Sequence, residues 1–526
     1  MNALDYSMVA VYFAAMIGIG LRFKRSKAGT DYFLGGRSFG WFPLCMSAMA
    51  TQLSVISFVS APAFVGLRKG GGMQWLTFEF GVPLAMIVVM GFIGPVLLRS
   101  GVVSVYALLE QRFNSTSRVL LSTVFLFSRG FATSITIYAV CLILSTILHL
   151  SFWTTMLVLG GVTVVYSLEG GMKAIVYSEV AQMFIKFLGI LAIIAVGLRC
   201  VGGWSGFIAH LDPARLRAVD FGNFGFDGGE FGFWPMLLGG IFLYCSYYGA
   251  DQVQAQRILS ARDEPTMRRL LFFNGLLRFP VTLAYCLGGL ILGAFVRSDA
   301  AFAAKIPADK PDLMIPIFIT DYLPHGIVGL IVVAIIAAGM SAYSSALNSL
   351  SAVTMEDVIG RLTAVPKERY VYWSKATALV WGVMTMLLAS VVGKMATTVI
   401  EAINKVGSLF YGPILGMFLL ALIHRRIRAS AANLGLVLGV GVNFTMWLGF
   451  KNIFWFWWNA IGGLTTLAVG IGLSLILPAC REPAADGEAD AARALPWTSF
   501  AVLACYFLAI VTFCILLPRF FRFPPA

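Results

Sequence analysis

Long apolar stretches recur along this chain, and they constrain its fold more than any other feature. Tyr6 to Leu21, Val82 to Leu98 and Ala431 to Phe450 approach or reach the roughly 20 mostly apolar residues that one bilayer-spanning helix needs. Charged residues make up only 12% of the 526 residues, against about 25% in a soluble protein. Lipid must therefore cover much of the surface, and the chain is predicted to be an all-α polytopic membrane protein.

Fourteen stretches are predicted to cross the bilayer. Their approximate limits are 5–22, 41–66, 76–98, 117–148, 152–168, 176–201, 233–252, 270–296, 325–358, 371–394, 399–424, 432–450, 456–478 and 497–519. One set of alternate loops carries most of the Lys and Arg residues, as cytoplasmic loops do. This pattern accounts for the formal net charge of +13 without a nucleic-acid partner. Fourteen spans predict an integral protein of the cell membrane with both termini outside.

Other function classes lack the features that they require. A membrane sensor with a transporter-like body predicts an appended signalling domain, whereas the polar, alanine-rich segment from Arg481 to Arg493 is typical of a flexible linker. A membrane-embedded enzyme predicts a convergent cluster of His, Cys or carboxylate groups, and a transition-metal site predicts clustered ligands; neither pattern is present. No obligate protein partner is evident.

The second predicted span carries too many polar side chains for a helix that faces lipid. These are Ser47, Thr51, Gln52, Ser54 and Ser57. Because polar groups inside a membrane usually mark a pathway, an interrupted helix that faces a cavity is favoured. The alternative is that the hydroxyls bond back to their own helix and tighten helix packing.

The ninth predicted span carries a stripe of small polar residues. Ser341, Ser344, Ser345 and Asn348 are spaced by three and four residues and share one helical face. Hydroxyl oxygens are hard ligands that suit a cation such as sodium. A packing seam of small residues explains the stripe equally well.

Four further residues are candidates for the pathway. Arg129 in the fourth span is placed to anchor a carboxylate, or to snorkel to the membrane surface. Glu179 lies either within the membrane or at a hydrated helix end. Tyr247 is placed to stack on a solute and gate it, or to join an interfacial aromatic belt, and Asn404 is placed to face the pathway.

Three motifs together resemble one known family. They are Tyr166 to Ala174 with its Gly-Gly pair, Asp251 to Arg257, and the serine-rich stretch from Ser341 to Asp357. The chain resembles the sodium/solute symporter family, whose members carry glucose, proline, sialic acid, monocarboxylates, pantothenate or iodide with sodium. The resemblance covers nearly the whole chain. It implies a leucine-transporter-type fold, in which two inverted five-helix repeats form the core and further helices lie at the periphery.

The resemblance also implies two cation sites and a solute site. The positions that match the family's sodium site are Ala50, Leu53, Ala338, Ser341 and Ala342, where Ala342 replaces the usual hydroxyl residue. Ser344 and Ser345 match a second cation site, at which Glu179 replaces the usual Asp. The matching solute positions are Ser54, Ser57, Arg129, Tyr247 and Asn404.

The resemblance implies a sodium-coupled symporter, not an enzyme, that imports a small organic solute by alternating access. Arg129 with Ser54 and Ser57 favours an organic acid or a sialic acid-like sugar acid, and a neutral sugar is the alternative. The expected parts are an N-terminal peripheral helix and cytoplasmic loop, a ten-helix transport core, and C-terminal peripheral helices. Their limits are 1–38, 39–424 and 425–526, with a linker at 481–496.

Overall fold

The computed structural model describes residues 1–24, 29–392, 399–423, 427–476 and 495–521, and the regular structure in these ranges is helical, without a β-strand. The helices used below are α1 (Ala3–Arg22), α2 (Trp41–Gln52), α3 (Ala61–Gly66), α4 (Ser115–Leu148), α5 (Phe152–Cys200), α6 (Phe233–Gly249), α7 (Gln252–Leu259), α8 (Glu264–Ser298), α9 (Ile327–Val353), α10 (Lys367–Val392), α11 (Val399–Ile423), α12 (Ala429–Gly449), α13 (Trp457–Ile476) and α14 (Trp497–Phe520). A further span, Met73–Ser100, combines α-helical, 3₁₀ and π turns. The all-α prediction is confirmed.

The count of fourteen spans is not confirmed. Eleven helices of the described chain are long and apolar enough to cross a bilayer, or twelve when α2 and the helix after it count as one bent span. Two predicted spans, 152–168 and 176–201, lie within the single 49-residue helix α5. The predicted span 233–252 is represented by α6, whose 17 residues fall short of a full crossing.

Gly171 explains why two predicted spans form one bent helix. Its φ of 54° and ψ of −151° break the helical path inside α5. A Cβ atom at this position would also lie 2.6 Å from the Tyr32 carbonyl oxygen. Only glycine tolerates both this conformation and this close approach, so the Gly-Gly pair of the first motif has a structural purpose.

The second predicted span is interrupted, as its polar residues predict. α2 ends at Gln52, a π turn begins at Ile56, and the two halves are bent by 66°. The amide of Ser54 donates to the Gln52 carbonyl at 2.8 Å. The Ala50 carbonyl, its partner in an unbroken helix, is therefore released for another ligand.

α9 lies at the centre of the molecule. In its most apolar window, 83% of the residues are buried by protein, compared with 28% in α14. α4, α5 and α10 pack around α9, whereas α14 contacts mainly the Met73–Ser100 span and α8. This arrangement suits a protein core surrounded by lipid-facing helices. The division into 1–38, 39–424 and 425–526 stays a prediction, and residues 481–494 of the predicted linker lie outside the described ranges.

Candidate solute cavity and cation sites

A cavity of about 250 Å³ lies beside the break after α2. α4, α6, α8, α9 and α11 supply its other walls. Its lining residues are Thr51, Gln52, Ser54, Ile56, Ser57, Trp75, Phe78, Glu79, Arg129, Ala132, Thr133, Thr136, Leu243, Tyr244, Tyr247, Val253, Arg278, Tyr285, Ala342, Tyr343, Ala346, Gly407 and Tyr411. The structure thus brings four of the predicted solute residues (Ser54, Ser57, Arg129 and Tyr247) to one cavity. The side chain of Asn404 lies outside the described residues.

Arg129 forms one charged wall of the cavity. Its Nη2 atom donates to the Asp251 carboxylate and, at 3.2 Å, to the Tyr411 hydroxyl. The guanidinium carbon lies 6.0 Å from the centre of the Tyr247 ring, within range of a cation–π contact. The Arg129 side chain is 15% exposed, lines the cavity and pairs with Asp251, so it does not snorkel to the membrane surface. Its role in binding a solute stays a prediction, and sequence reasoning missed its carboxylate partner, Asp251.

A second buried ion pair, between Arg278 and Glu79, also lines the cavity. Arg278 donates from Nε to Glu79 at 2.9 Å and from Nη2 at 2.8 Å, which is a bidentate contact. Thr282 donates to the same carboxylate at 2.9 Å, and Arg278 also donates to the Gln52 side chain. Sequence reasoning missed both Glu79 and Arg278. The signal was present, because both are ionisable residues inside predicted spans.

Gln52 presents an unused donor at the cavity. Its Oε1 atom accepts from Arg278, whereas its buried Nε2 atom has no hydrogen-bond partner among the described residues. A buried donor without a partner costs about 1–3 kcal/mol. A polar solute that accepts a hydrogen bond from Gln52 would remove this cost.

Three of the five residues predicted for the first cation site, Ala50, Leu53 and Ser341, converge on an ammonium group. Lys186 is fully buried in α5, and its Nζ donates to the Ala50 carbonyl at 2.6 Å and the Leu53 carbonyl at 3.0 Å. It also donates to the Ser341 hydroxyl at 2.7 Å. Sequence reasoning missed Lys186, although a lone lysine in an apolar span is a strong signal.

The remaining members of the first cation site do not contact Lys186. The Ala338 carbonyl accepts a bond of 3.3 Å from the Ser341 hydroxyl, and Ala342 lines the solute cavity. Both residues are alanines of α9, so neither has a side-chain oxygen that could bind a cation.

The residues predicted for the second cation site surround a buried ion pair. Glu179 is fully buried, which excludes the hydrated helix end, and Arg257 Nη2 donates to its two oxygens at 3.1 and 2.9 Å. Ser345 and Thr51 donate to the same carboxylate. Ser344 donates to the Ser341 carbonyl, at 3.3 Å. Ser345 and Glu179 thus lie together, and both contact the Arg257 guanidinium.

The model of the Sodium:solute symporter family matches residues 32–439 of this sequence. The chain belongs to the sodium:solute symporter family. Among its relatives, the human sodium/iodide cotransporter is 28% identical over 456 residues, which cover 85% of this chain and 70% of the relative. The sodium-coupled monocarboxylate transporter 1 of Xenopus laevis is 28% identical over 453 residues, which cover 85% and 71% of the two chains.

Solved structures confirm the fold class. A sodium-coupled sialic acid symporter in a substrate-bound, outward-open state superposes with a TM-score of 0.82 at 23% identity, covering 91% of this chain and all of the other. A transporter of the nucleobase-cation-symport-1 family in a closed conformation gives a TM-score of 0.54 at 15% identity, with 86% and 95% covered. The protein is an integral membrane symporter that couples a solute to sodium.

Proposed function

We propose that the solute is a small organic acid or sugar acid that binds in the cavity between the α2 break and α4. The observation that carries this proposal is the position of Arg129. Both of its hydrogen bonds use Nη2, so Nε and Nη1 make no bond to other described residues. A guanidinium with free N–H groups at a cavity wall is suited to a carboxylate.

The neighbours of Arg129 are suited to hold such a solute. Tyr247 and Tyr411 stand edge to face, with ring centres 6.0 Å apart, beside the guanidinium. Ser54 and Ser57 line the same cavity. An incoming carboxylate would share Arg129 with Asp251, which is itself fixed because it accepts at 2.8 Å from the Val253 amide at the start of α7. The relatives named for iodide and monocarboxylates are also named for anions.

A neutral sugar is the second candidate, and one observation favours it. Both cavity arginines already pair with a carboxylate, Arg129 with Asp251 and Arg278 with Glu79. The charges of the walls therefore balance before any solute enters. Gln52 and the tyrosine rings would then provide hydrogen bonds and stacking for a sugar.

Uptake by purified protein in liposomes decides between the two candidates. Labelled sialic acid, acetate and glucose are each offered with an inward sodium gradient, to wild type, Arg129→Lys and Arg129→Gln. We expect uptake of an acid, a partial loss in Arg129→Lys because a lysine cannot bind in the bidentate mode, and a loss of at least tenfold in Arg129→Gln. Uptake of glucose that all three proteins support equally would contradict the acid and favour the neutral sugar.

We further propose that residues 39–424 form the transport core and that both termini lie outside the cell membrane. Support comes from the Lys and Arg bias of alternate loops. The protein is proposed to transport without catalysing a reaction, with the solute and sodium as its partners and without an obligate protein or nucleic-acid partner. Accessibility of a cysteine placed at Asn2 to an impermeant reagent on intact cells tests the orientation.

A further inference from the structure

The Lys186 ammonium satisfies all of its hydrogen-bonding capacity at one place. An ammonium has three N–H donors and no acceptor. Lys186 meets one acceptor for each donor: the Ala50 carbonyl, the Leu53 carbonyl and the Ser341 hydroxyl, at 2.6 to 3.0 Å. The two carbonyls are available because α2 is broken at this point. The site is thus built to hold a cation, and a side chain of the same protein fills it.

A sodium ion and this ammonium cannot share the site. Sodium would have to contact the same oxygens, because hard cations bind carbonyl and hydroxyl oxygens. The Nζ atom of Lys186 lies within 3.0 Å of each of them. In addition, Ala342 supplies no hydroxyl at the position where the resemblance implies one. The chain therefore combines a missing ligand for sodium with an added cation of its own.

We propose that Lys186 is the resident cation of the Ala50–Leu53–Ser341 site, and that this site binds no sodium ion in the wild-type protein. The ammonium joins the broken α2 to α9 through bonds that do not depend on the external sodium concentration. Sodium that drives transport then binds at other oxygens. This inference does not depend on which solute is carried, because its test measures sodium binding and not transport.

Among the described residues, three oxygen acceptors and no carboxylate hold the Lys186 ammonium. α2 and α9, which supply the three acceptors, contain no Asp, Glu, Lys, Arg or His. The nearest opposite charge on its own helix is Glu179, about two turns earlier, and Glu179 is paired with Arg257. The second predicted cation site therefore also holds a cation of the protein. Lys186 and Arg257 thus both contact α2, at Ala50 and Ser47.

The test measures sodium binding directly, as the shift of the thermal unfolding midpoint of purified full-length protein in sodium chloride against choline chloride. In the wild-type background, Ser341→Ala is expected to change the half-saturating sodium concentration by less than twofold. Ser122→Ala is the matched control, because Ser122 is also buried and its hydroxyl donates to the Val119 carbonyl of its own helix. An increase of about tenfold in Ser341→Ala alone, the effect of losing one ligand oxygen, would overturn the proposal.

A gain of sodium binding provides the second arm. Replacing Lys186 by Ala and Ala342 by Ser removes the ammonium and restores the hydroxyl. This double variant is expected to gain a sodium-dependent stabilisation that Ser341→Ala then abolishes. A folded double variant without that gain would overturn the proposal. If the double variant does not fold, Ser341→Ala in the wild-type background decides. Absence of sodium-driven uptake in the wild type would overturn the proposed function and not this inference.

Discussion

The buried pair between Glu179 and Arg257 gives the most quantitative prediction. Their side chains are 0% and 1% exposed, and two serines and a threonine complete the hydrogen bonds of the pair. Removing one partner of such a pair leaves an uncompensated buried charge and costs about 3–5 kcal/mol. We therefore expect Glu179→Gln and Arg257→Met each to lower the apparent free energy of unfolding by about that amount.

The double variant tests the physical reason. Replacing both charges removes the buried charge altogether, and apolar replacements of buried pairs are often close to neutral. Glu179→Gln combined with Arg257→Met should therefore cost less than the sum of the single variants, by about 0.5–3 kcal/mol. Chemical unfolding in detergent, followed by intrinsic fluorescence, measures all three. Arg99→Gln is the control, because Arg99 pairs with Glu264 at the surface and is 56% exposed, where such pairs contribute little. Strictly additive losses would refute the reasoning.

Two further predictions concern packing and charge. Gly289→Ala should lower the thermal midpoint by several degrees more than Gly288→Ala, because a Cβ at Gly289 would lie 2.5 Å from the Pro62 carbonyl whereas one at Gly288 meets nothing closer than 3.6 Å; equal midpoints would contradict this close approach. The Arg361 guanidinium holds the pKa of the Glu110 carboxyl below its ordinary value of 4.5, so this pair stabilises the protein above that pH and loses its effect as the pH falls through the lowered pKa. The difference in midpoint between wild type and Glu110→Gln should thus be largest at pH 7 and vanish in strong acid; a constant difference would exclude Glu110 as its source.

The fold was largely predictable because its signals are local. Apolar stretches of spanning length predicted the helices, and five polar residues within 41–66 predicted the interruption that the 66° bend confirms. The span count was less predictable. Whether a glycine such as Gly171 bends a helix or ends it depends on the contact with Tyr32, which lies 139 residues away and leaves no local pattern.

The sequence indicated where the candidate sites lie, and it did not indicate which side chains fill them. Ser54, Ser57 and Arg129 reach one cavity, and Ala50, Leu53 and Ser341 converge, as the resemblance implies. Lys186 and Arg257, which fill the two cation sites, were missed. The resemblance identifies positions that match the family's ligands, and it does not show which other side chains of this protein reach them. Lys186 lies 133 residues or more from each of its acceptors.

The pairing of Arg278 with Glu79 could not be predicted for the same reason, because 199 residues separate the two in the sequence. A rule applied to every ionisable residue inside a span would have named Lys186, Arg278 and Glu79 as candidates. It would not have identified their partners, because side-chain geometry decides which buried charges meet.

The central claim is that sodium drives the uptake of an organic solute through the Arg129 cavity. The most direct measurement is the time course of solute uptake into liposomes by wild type and by Arg129→Gln, under an inward sodium gradient and under an equal potassium gradient. We predict uptake above the equilibrium level with sodium only, and a loss of at least tenfold in the variant. Equal uptake under both gradients, or a variant as active as wild type, would contradict the account.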